Sequence, residues 1–212
     1  RHGVDRIFVD LETLGKEERQ AGMNTVKSRH TMEDVSAVRQ AVSRAELLVR
    51  VNPLHEGSAE EISEVIARGA DIVMLPMFRT AAEARTFVRL VGGRAKTMLL
   101  LETKEAEAAI DEILAVGGID EIHIGLNDLH ISHGMDFLFQ PLANGMVDAL
   151  AEKIKAAGIP FGFGGIARLD EGMLPARFII AEHHRLGSEM VILSRSFYDA
   201  WLKQETEEIR RV

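Results

Sequence analysis

Two carboxylates follow predicted buried strands at the centre of the chain. Glu102 comes directly after the apolar run Thr97–Leu101, and Asp128 comes just after the run Glu121–Gly125. A predicted helix over Lys104–Val116 connects the two strands, so the strands should be parallel and both carboxylates should emerge at one sheet edge. Hard oxygen ligands without a nearby cysteine suit Mg²⁺ or Mn²⁺. The spacing therefore predicts a divalent-metal site. The alternative is that Glu102 caps the next helix and Asp128 forms an Asx turn.

Three more charged residues follow predicted strands. Asp10 and Glu12 close the strand Arg6–Asp10, and Arg50 stands near the end of the strand Glu46–Val51. An arginine within an apolar strand end is costly to bury without a purpose. A fixed cation there would stabilise negative charge that develops in a reaction, as an oxyanion hole does. The alternative for Arg50 is a salt bridge with Asp10 or Glu12.

Proton transfer needs a group that titrates near neutral pH, and histidine is the usual one. The sequence offers His55, His123, His130 and His133. His123 lies inside a predicted strand, which favours a hydrogen-bonded core histidine. His130 and His133 lie on a predicted loop beyond Asp128, and we favour His130 as the catalytic residue. A water on the metal, oriented by Glu12, is the alternative.

The ends of the last two predicted strands form a candidate substrate-binding site. Gly164 and Gly165 end the strand that begins at Pro160, and Ser194 and Arg195 follow the strand Glu189–Leu193. Loop amides at such strand ends often bind anions, and Arg195 could grip a carboxylate or a phosphate. The alternative is that the two glycines only form a tight turn.

Alternating strands and helices predict the fold. Seven continuous apolar runs, separated by helical patterns, indicate parallel strands covered on both faces, at residues 6, 46, 71, 97, 121, 160 and 189. A (β/α)₈ TIM barrel has eight strands and roughly 250 residues. We therefore expect such a barrel whose first strand–helix unit is missing from this chain. The alternative is an open doubly wound sheet. The lack of a glycine-rich phosphate loop after the first strand argues against that fold.

Composition restricts the class of protein further. The chain has 212 residues, 46% hydrophobic content and a formal charge of −8, which favours one domain over residues 1–212 and argues against nucleic acid and anionic membranes as partners. No apolar run reaches the roughly 18 residues of a membrane span. The absence of cysteine excludes disulfides and a thiol nucleophile, and it is compatible with a cytoplasmic location.

Five motifs in order resemble the HpcH/HpaI aldolase and citrate lyase β-subunit family of phosphoenolpyruvate/pyruvate-domain barrels. Each is weak alone, but each stands at the end of a predicted strand, and together they span most of the chain. They are VDLE (Val9–Glu12), VRVNP (Val49–Pro53), GADIVMLPM (Gly69–Met77), LLLETKEA (Leu99–Ala106) and IGLNDLHISHG (Ile124–Gly134).

The resemblance implies roles for particular residues. Glu102 and Asp128 would hold a divalent metal, Mg²⁺ or Mn²⁺, and Arg50 would bind the keto or enolate oxygen, while Asp10 and Glu12 would lie near the metal. Family aldolases of the hydroxy-oxo-acid type have a histidine where this chain has Thr13. The citrate-lyase-like branch often has aspartate there, so Thr13 matches neither branch and leaves the proton-transfer residue open.

The implied activity is that of a metal-dependent carbon–carbon lyase, which cleaves or forms a small hydroxy-oxo acid through a pyruvate-like enolate. Two alternatives remain: a citrate-lyase-like enzyme that cleaves an acyl-CoA ester, and a barrel that binds an oxoacid without turning it over. The chain lacks the clear CoA-lyase pattern at Gly162–Gly165 and Ser194–Phe197. The family also implies a homo-oligomer, a trimer or a hexamer, with the tail helix from Phe197 at the interface.

Overall fold

The computed structural model describes residues 3–15, 30–168, 172–194 and 197. The chain divides into two compact units, one formed by Asp5–Glu121 and the other by Ile122–Val212 together with Arg1–Val4. The single domain expected over residues 1–212 stays a prediction.

The first unit contains four parallel strands and five helices among its described residues. Neighbouring strands pair in chain order, and the register places Asp10 opposite Arg50. The strands are β1 (Arg6–Asp10), β2 (Glu46–Arg50), β3 (Ile72–Leu75) and β4 (Lys96–Leu101). The helices are α1 (Met32–Ala41), α2 (Ser58–Ala67), α3 (Ala81–Val91), α4 (Lys104–Ala108) and α5 (Ile110–Leu114).

Strands β2 to β4 are buried over nearly their whole length, as the continuous apolar runs predict. All four residues of β3 are buried, and in β4 only Lys96 is exposed. A strand that is apolar on both faces requires cover on both faces, which helices supply in parallel α/β folds. The polar residues at the strand ends are thereby set apart from the core.

Helix ends in this unit follow local capping rules. Thr80 and Glu83 form a capping box at the start of α3, and Gly92 ends that helix in the left-handed conformation. The Thr31 amide donates to Asp34 Oδ2 at 2.7 Å at the start of α1. Ser58 is the first residue of α2, and its hydroxyl accepts a hydrogen bond from the His55 amide.

The prediction of a single helix over Lys104–Val116 is wrong. The segment forms two short helices, α4 and α5, which meet at Ala109, where φ is −93° and ψ is 14°. Ala106, Ile110 and Ile113 are buried, so the predicted apolar face is present despite the break. Neither glycine nor proline marks the break, and the sequence therefore gives no signal for it.

The second unit contains three parallel strands and four helices among its described residues. β5 pairs with β6, and β6 pairs with β7. The strands are β5 (Glu121–Ile124), β6 (Phe161–Ile166) and β7 (Met190–Leu193). The helices are α6 (Leu126–Ser132), α7 (Gln140–Ala143), α8 (Met146–Ala156) and α9 (Ala176–Leu186).

One of these helices corrects the sequence interpretation. α6 contains Asp128 and His130, which were expected just beyond a strand and on a loop. The predicted terminal helix lies outside the described residues, apart from Phe197. The longest described helices have 11 residues each, well short of the roughly 20 that cross a bilayer.

A histidine of α9 packs against β6 in the second unit. The His183 ring stacks on Phe163 with the ring centroids 3.7 Å apart, and its Nδ1 lies 2.7 Å from Ser188 Oγ. Burial lowers the pKa of His183 to about 4, because removing the imidazole from water disfavours its charged form. The folded protein therefore holds this histidine neutral.

This burial predicts a dependence of stability on pH. The pKa of an unfolded histidine is about 6.5, so between that pH and about pH 4 the unfolded chain binds a proton that His183 in the folded chain does not. The stabilisation is fully present above pH 6.5 and is lost as the pH falls through this window. We expect the melting temperature to fall less between pH 7 and pH 5 in a His183→Gln variant than in the unchanged protein. Equal falls in both proteins would contradict this account.

Candidate active site

A bidentate ion pair joins the ends of β1 and β2 in the first unit. Arg50 Nε donates to Asp10 Oδ1 and Arg50 Nη2 donates to Asp10 Oδ2, both at 2.8 Å. Two parallel hydrogen bonds between a guanidinium and a carboxylate fix both groups in one plane. The parallel register opposes these two residues directly, so the contact follows from the strand pairing.

Two further carboxylates lie around the Arg50 guanidinium. Glu12 Oε2 is 3.3 Å from Arg50 Nη2, and Glu102 acts on Arg50 through its charge. Burial opposes the charged form of Arg50, but the hydrogen bonds to Asp10 and the charges of all three carboxylates outweigh it and raise the pKa of Arg50 above its usual value. Arg50 is therefore a permanent cation in a site with little access to water.

The Glu102 carboxylate is buried, with 3% of the residue exposed, and is held in place from the β3 end. The Met77 amide donates to Glu102 Oε1 at 3.0 Å. Met77 has a φ of 54°, and among the described residues it is the only one other than glycine with a positive φ. A side chain in this conformation costs free energy, and such strain tends to occur at functional sites.

An asparagine clamp holds the segment that follows Glu12. Asn52 Oδ1 accepts hydrogen bonds from the amides of Thr13 and Leu14 at 2.9 and 3.0 Å. The Asn52 side-chain amide in turn donates to Glu61 Oε1 at 2.7 Å. Sequence reasoning assigned no role to Asn52 or Glu61, although Asn52 stands in the VRVNP motif. Its position two residues after Arg50 was the available signal.

Several histidines have defined ring orientations. His123 has 2% of its surface exposed and its Nε2 donates to the Gly164 carbonyl at 3.0 Å, so the predicted core histidine is confirmed. His55 Nδ1 accepts from the Gly57 amide and its Nε2 contacts Glu61, so both ring nitrogens of His55 are used. His130 Nδ1 donates to the Leu126 carbonyl at 3.1 Å, which leaves its Nε2 as the basic nitrogen.

The predicted metal ligands fall in different units. Glu102 belongs to the first unit and Asp128, within α6, to the second. Their joint action therefore stays a prediction. Within the described ranges, no three His, Asp or Glu side chains form a metal site by themselves. The anchored, buried carboxylate of Glu102 is nevertheless a hard oxygen donor of the kind that Mg²⁺ and Mn²⁺ prefer.

The predicted substrate-binding glycines lie inside a strand. The sequence suggested that Gly164 and Gly165 end the strand, but β6 continues to Ile166. Their pairing with β7 is irregular between Gly162 and Gly165, and Gly164 has a φ of 55°. A Cβ on Gly164 would lie 2.8 Å from Leu126 Cδ1. The presence of glycine at these positions is thus explained by the irregular strand pairing and by the close approach of α6.

The other predicted substrate-binding residues follow β7. The Ser194 amide donates to the Ile166 carbonyl at 2.9 Å, which fixes Ser194 at the end of β6 as well. Arg195 lies outside the described residues. An anion site formed by Gly164, Gly165, Ser194 and Arg195 stays a prediction.

Comparison with known proteins gives a consistent result. The family model for HpcH/HpaI aldolase/citrate lyase matches residues 1–163. A 2-keto-3-deoxy-L-rhamnonate aldolase of Escherichia coli strain K12 is 30% identical over 169 residues, which cover 65% of this chain and 63% of the relative. A hydroxypyruvate/pyruvate aldolase of Rhizorhabdus wittichii is 32% identical over 143 residues, 51% of this chain and 57% of the relative. The chain thus spans less than two thirds of the length of these relatives.

Solved structures show the same fold. A family protein from Burkholderia cenocepacia J2315 superposes with a TM-score of 0.72 at 17% identity and covers 98% of this chain and 86% of its own. The citrate synthase SbnG gives a TM-score of 0.69 at 19% identity, with 97% and 83% covered. At these identities the likeness concerns the fold, an α/β fold of parallel strands that is consistent with a TIM-like barrel. The missing first strand–helix unit stays a prediction.

The Arg50–Asp10 pair predicts a loss of stability in Asp10→Asn. Asparagine retains an acceptor for one guanidinium donor but removes a negative charge beside a buried cation. A hydrogen bond to a charged group contributes about 1.5–3 kcal/mol, which corresponds to a fall in melting temperature of roughly 3–12 °C for a chain of this size. Calorimetry on Asp10→Asn checks this, with Asp5→Asn as the control, because Asp5 is exposed. An Asp10→Asn protein as stable as that control would contradict the expectation.

Proposed function

Because the chain belongs to the HpcH/HpaI aldolase/citrate lyase family, we propose that it is a divalent-metal-dependent aldolase that cleaves or forms a small hydroxy-oxo acid through a pyruvate-like enolate. Its relatives named above are aldolases, which supports a carbon–carbon lyase. The proposal includes the substrate class and the metal. It also includes a homo-oligomeric assembly, either a trimer or a hexamer.

The observation that carries the proposal is the arrangement of donors on Arg50. Asp10 and Glu12 engage Nε and Nη2, whereas Nη1 makes no hydrogen bond with any residue that the structure describes. The guanidinium is therefore fixed by one edge and retains two N–H donors for a ligand. Donors that are fixed before the reaction stabilise an oxyanion without reorganisation in the transition state. The enolate oxygen is the ligand that such a group suits.

The metal would be held by Glu102 and Asp128. Two carboxylate ligands leave coordination positions for an α-keto acid, and a bound divalent cation would supply Lewis acidity to the carbonyl. Met77 orients Glu102 through its amide, so the carboxylate is held at one oxygen. Arg50 adds a second, permanent positive charge for the enolate.

Proton transfer is assigned to His130, with a water oriented by Glu12 as the alternative. His130 Nε2 is basic because Nδ1 carries the proton donated to Leu126. Glu12 lies against Arg50 and is nearly fully buried. The Asn52 clamp fixes the backbone directly after Glu12, which suits a group that must hold one geometry. Thr13 has no ionisable side chain and takes no part as a base.

Arg50→Lys tests the proposal directly. Lysine keeps the positive charge but loses the planar donor fork, so it does not hold Asp10 and an enolate oxygen in the same way. If Nη1 binds the developing oxyanion, kcat and kcat/KM should fall together, on the order of 10²–10³-fold. The measurement is steady-state cleavage and synthesis with pyruvate and a panel of aldehydes in the presence of Mg²⁺ or Mn²⁺.

The same variant separates catalysis from anchoring. Arg85→Lys is the matched control, because Arg85 is an exposed residue of α3. A role limited to anchoring Asp10 would lower the melting temperature of Arg50→Lys and leave turnover near normal. An Arg50→Lys enzyme that is destabilised but fully active would therefore show that Arg50 is not catalytic.

Glu102→Gln tests the metal site. Glutamine can still accept the hydrogen bond from the Met77 amide, so the fold should persist. The loss of a charged oxygen ligand should lower the affinity for Mn²⁺ by at least about tenfold, the lower end of the effects seen even for groups around a metal's own ligands. Calorimetric titration with Mn²⁺ measures the change, with exposed Glu105→Gln as the control. Equal Mn²⁺ affinity in both variants would show that Glu102 is not a metal ligand.

A further inference from the structure

A cleft of about 440 Å³ lies beside the Arg50 site, within the first unit. Its walls come from the loops after β1, β2 and β3, on the side where Asp10, Glu12 and Arg50 end their strands. Five apolar residues form much of its lining, and two charged residues stand among them. The apolar residues are Leu14, Pro53, Leu54, Met77 and Phe78, and the charged residues are Arg79 and Glu83.

The cleft walls are anchored to the groups that hold the Arg50 site. Leu14 is fixed through its amide by Asn52 Oδ1 at 3.0 Å. Met77, another lining residue, donates its amide to Glu102 at 3.0 Å. The Phe78 carbonyl accepts from Thr103 Oγ1, the residue after Glu102, at 2.8 Å. Hydrogen bonds therefore tie the cleft walls to residues of the Arg50 site.

The two charged residues offer both a donor and an acceptor. Glu83 Oε2 accepts hydrogen bonds from the amides of Arg79 and Thr80 at 2.5 and 3.0 Å, which holds the carboxylate at the start of α3. Within the described part of the chain, Glu83 Oε1 makes no hydrogen bond and the Arg79 guanidinium makes no ion pair. One positive and one negative charge cancel, so the cleft has no net attraction for an anion.

We propose that this cleft binds the chain of the acceptor aldehyde, that Arg79 and Glu83 hydrogen-bond its hydroxyl groups, and that an aldehyde with an anionic end is disfavoured. The inference rests on the proposed aldolase function and adds the substrate class and the residues that select it. A hydroxyl both donates and accepts, so it matches an arginine beside a carboxylate. The apolar wall contacts the carbon chain. Because the Arg79 and Glu83 charges cancel, an anionic end gains no net attraction to offset its loss of water.

The test compares three aldehydes with pyruvate and Mg²⁺ or Mn²⁺: glyceraldehyde, propionaldehyde, and glyceraldehyde 3-phosphate. We expect kcat/KM to be higher for glyceraldehyde than for propionaldehyde by about ten- to hundredfold, the effect of a hydrogen bond to a charged group. Arg79→Gln and Glu83→Gln should each reduce this ratio. Glu83→Gln should also raise kcat/KM for the phosphate relative to glyceraldehyde, because the Arg79 charge is then no longer cancelled.

The variants are chosen so that the fold persists. Glutamine replaces glutamate in capping boxes, so Glu83→Gln should keep the start of α3. Arg85→Gln, on the exposed side of the same helix, is the control and should leave all ratios unchanged. Unchanged ratios in both Arg79→Gln and Glu83→Gln, or a wild-type preference for the phosphate, would overturn the proposal.

A second measurement separates this proposal from the proposed function. Exchange of the pyruvate methyl protons in D₂O, followed by NMR, reports enolate formation and needs no aldehyde. We expect exchange in the unchanged protein and equal exchange in both cleft variants. No exchange in the unchanged protein would overturn the aldolase function and the cleft proposal with it. Normal exchange with unchanged aldehyde ratios would overturn the cleft proposal alone.

Discussion

The Arg50 guanidinium is the group on which the described site depends. Removing a cation from water is expensive, and here the bidentate contact with Asp10 and the charges of Glu12 and Glu102 compensate that cost. Asp10 ends β1, Glu12 and Glu102 follow β1 and β4, and Arg50 ends β2. The contact therefore exists only when the strands pair in the observed parallel register. Folding of the first unit and formation of its charged site are in this sense one event.

Hydrogen bonds to the backbone also fix the segments around these charged groups. Asn52 ties the segment after Glu12 to the end of β2, and Glu61 holds Asn52 from α2. The strained backbone of Met77 aims its amide at Glu102. Such supports limit how far the carboxylates can move, and catalytic groups need this because misplacement by a fraction of an ångström costs activity. The cleft beside them shares the same supports.

The second unit contributes residues of a different character. Asp128 and His130 lie on a helix of seven residues, and the Leu126 carbonyl orients the His130 ring. Gly164 and Gly165 permit an irregular β6 and the close approach of Leu126, so their conformational freedom already has a use in the fold. His123 stabilises the same region by bonding to the Gly164 carbonyl. The proposed roles of Asp128 and His130 thus depend on a segment whose own packing is tightly specified.

The sequence by itself determined the strands and the residues at their ends. Continuous apolar runs predict seven strands because a buried parallel strand needs apolar residues on both faces, and each run contains a strand. The capping boxes at the starts of α1 and α3 are local in the same way, since each is formed by residues three apart. Asp10, Glu12, Arg50 and Glu102 were recognisable as candidates from their positions after these runs. Local patterns of this kind require no knowledge of distant contacts.

Only the tertiary structure decided which of these groups meet. The partners Asp10 and Arg50 are 40 residues apart, and Asn52 reaches Thr13 across 39 residues, so no local pattern encodes either contact. The same holds for the glycines, which lie within β6 because Leu126 and β7 pack there, and for His123, whose acceptor is 41 residues away. Side-chain pairing depends on strand register and on packing across the fold, and these are properties of the assembled chain.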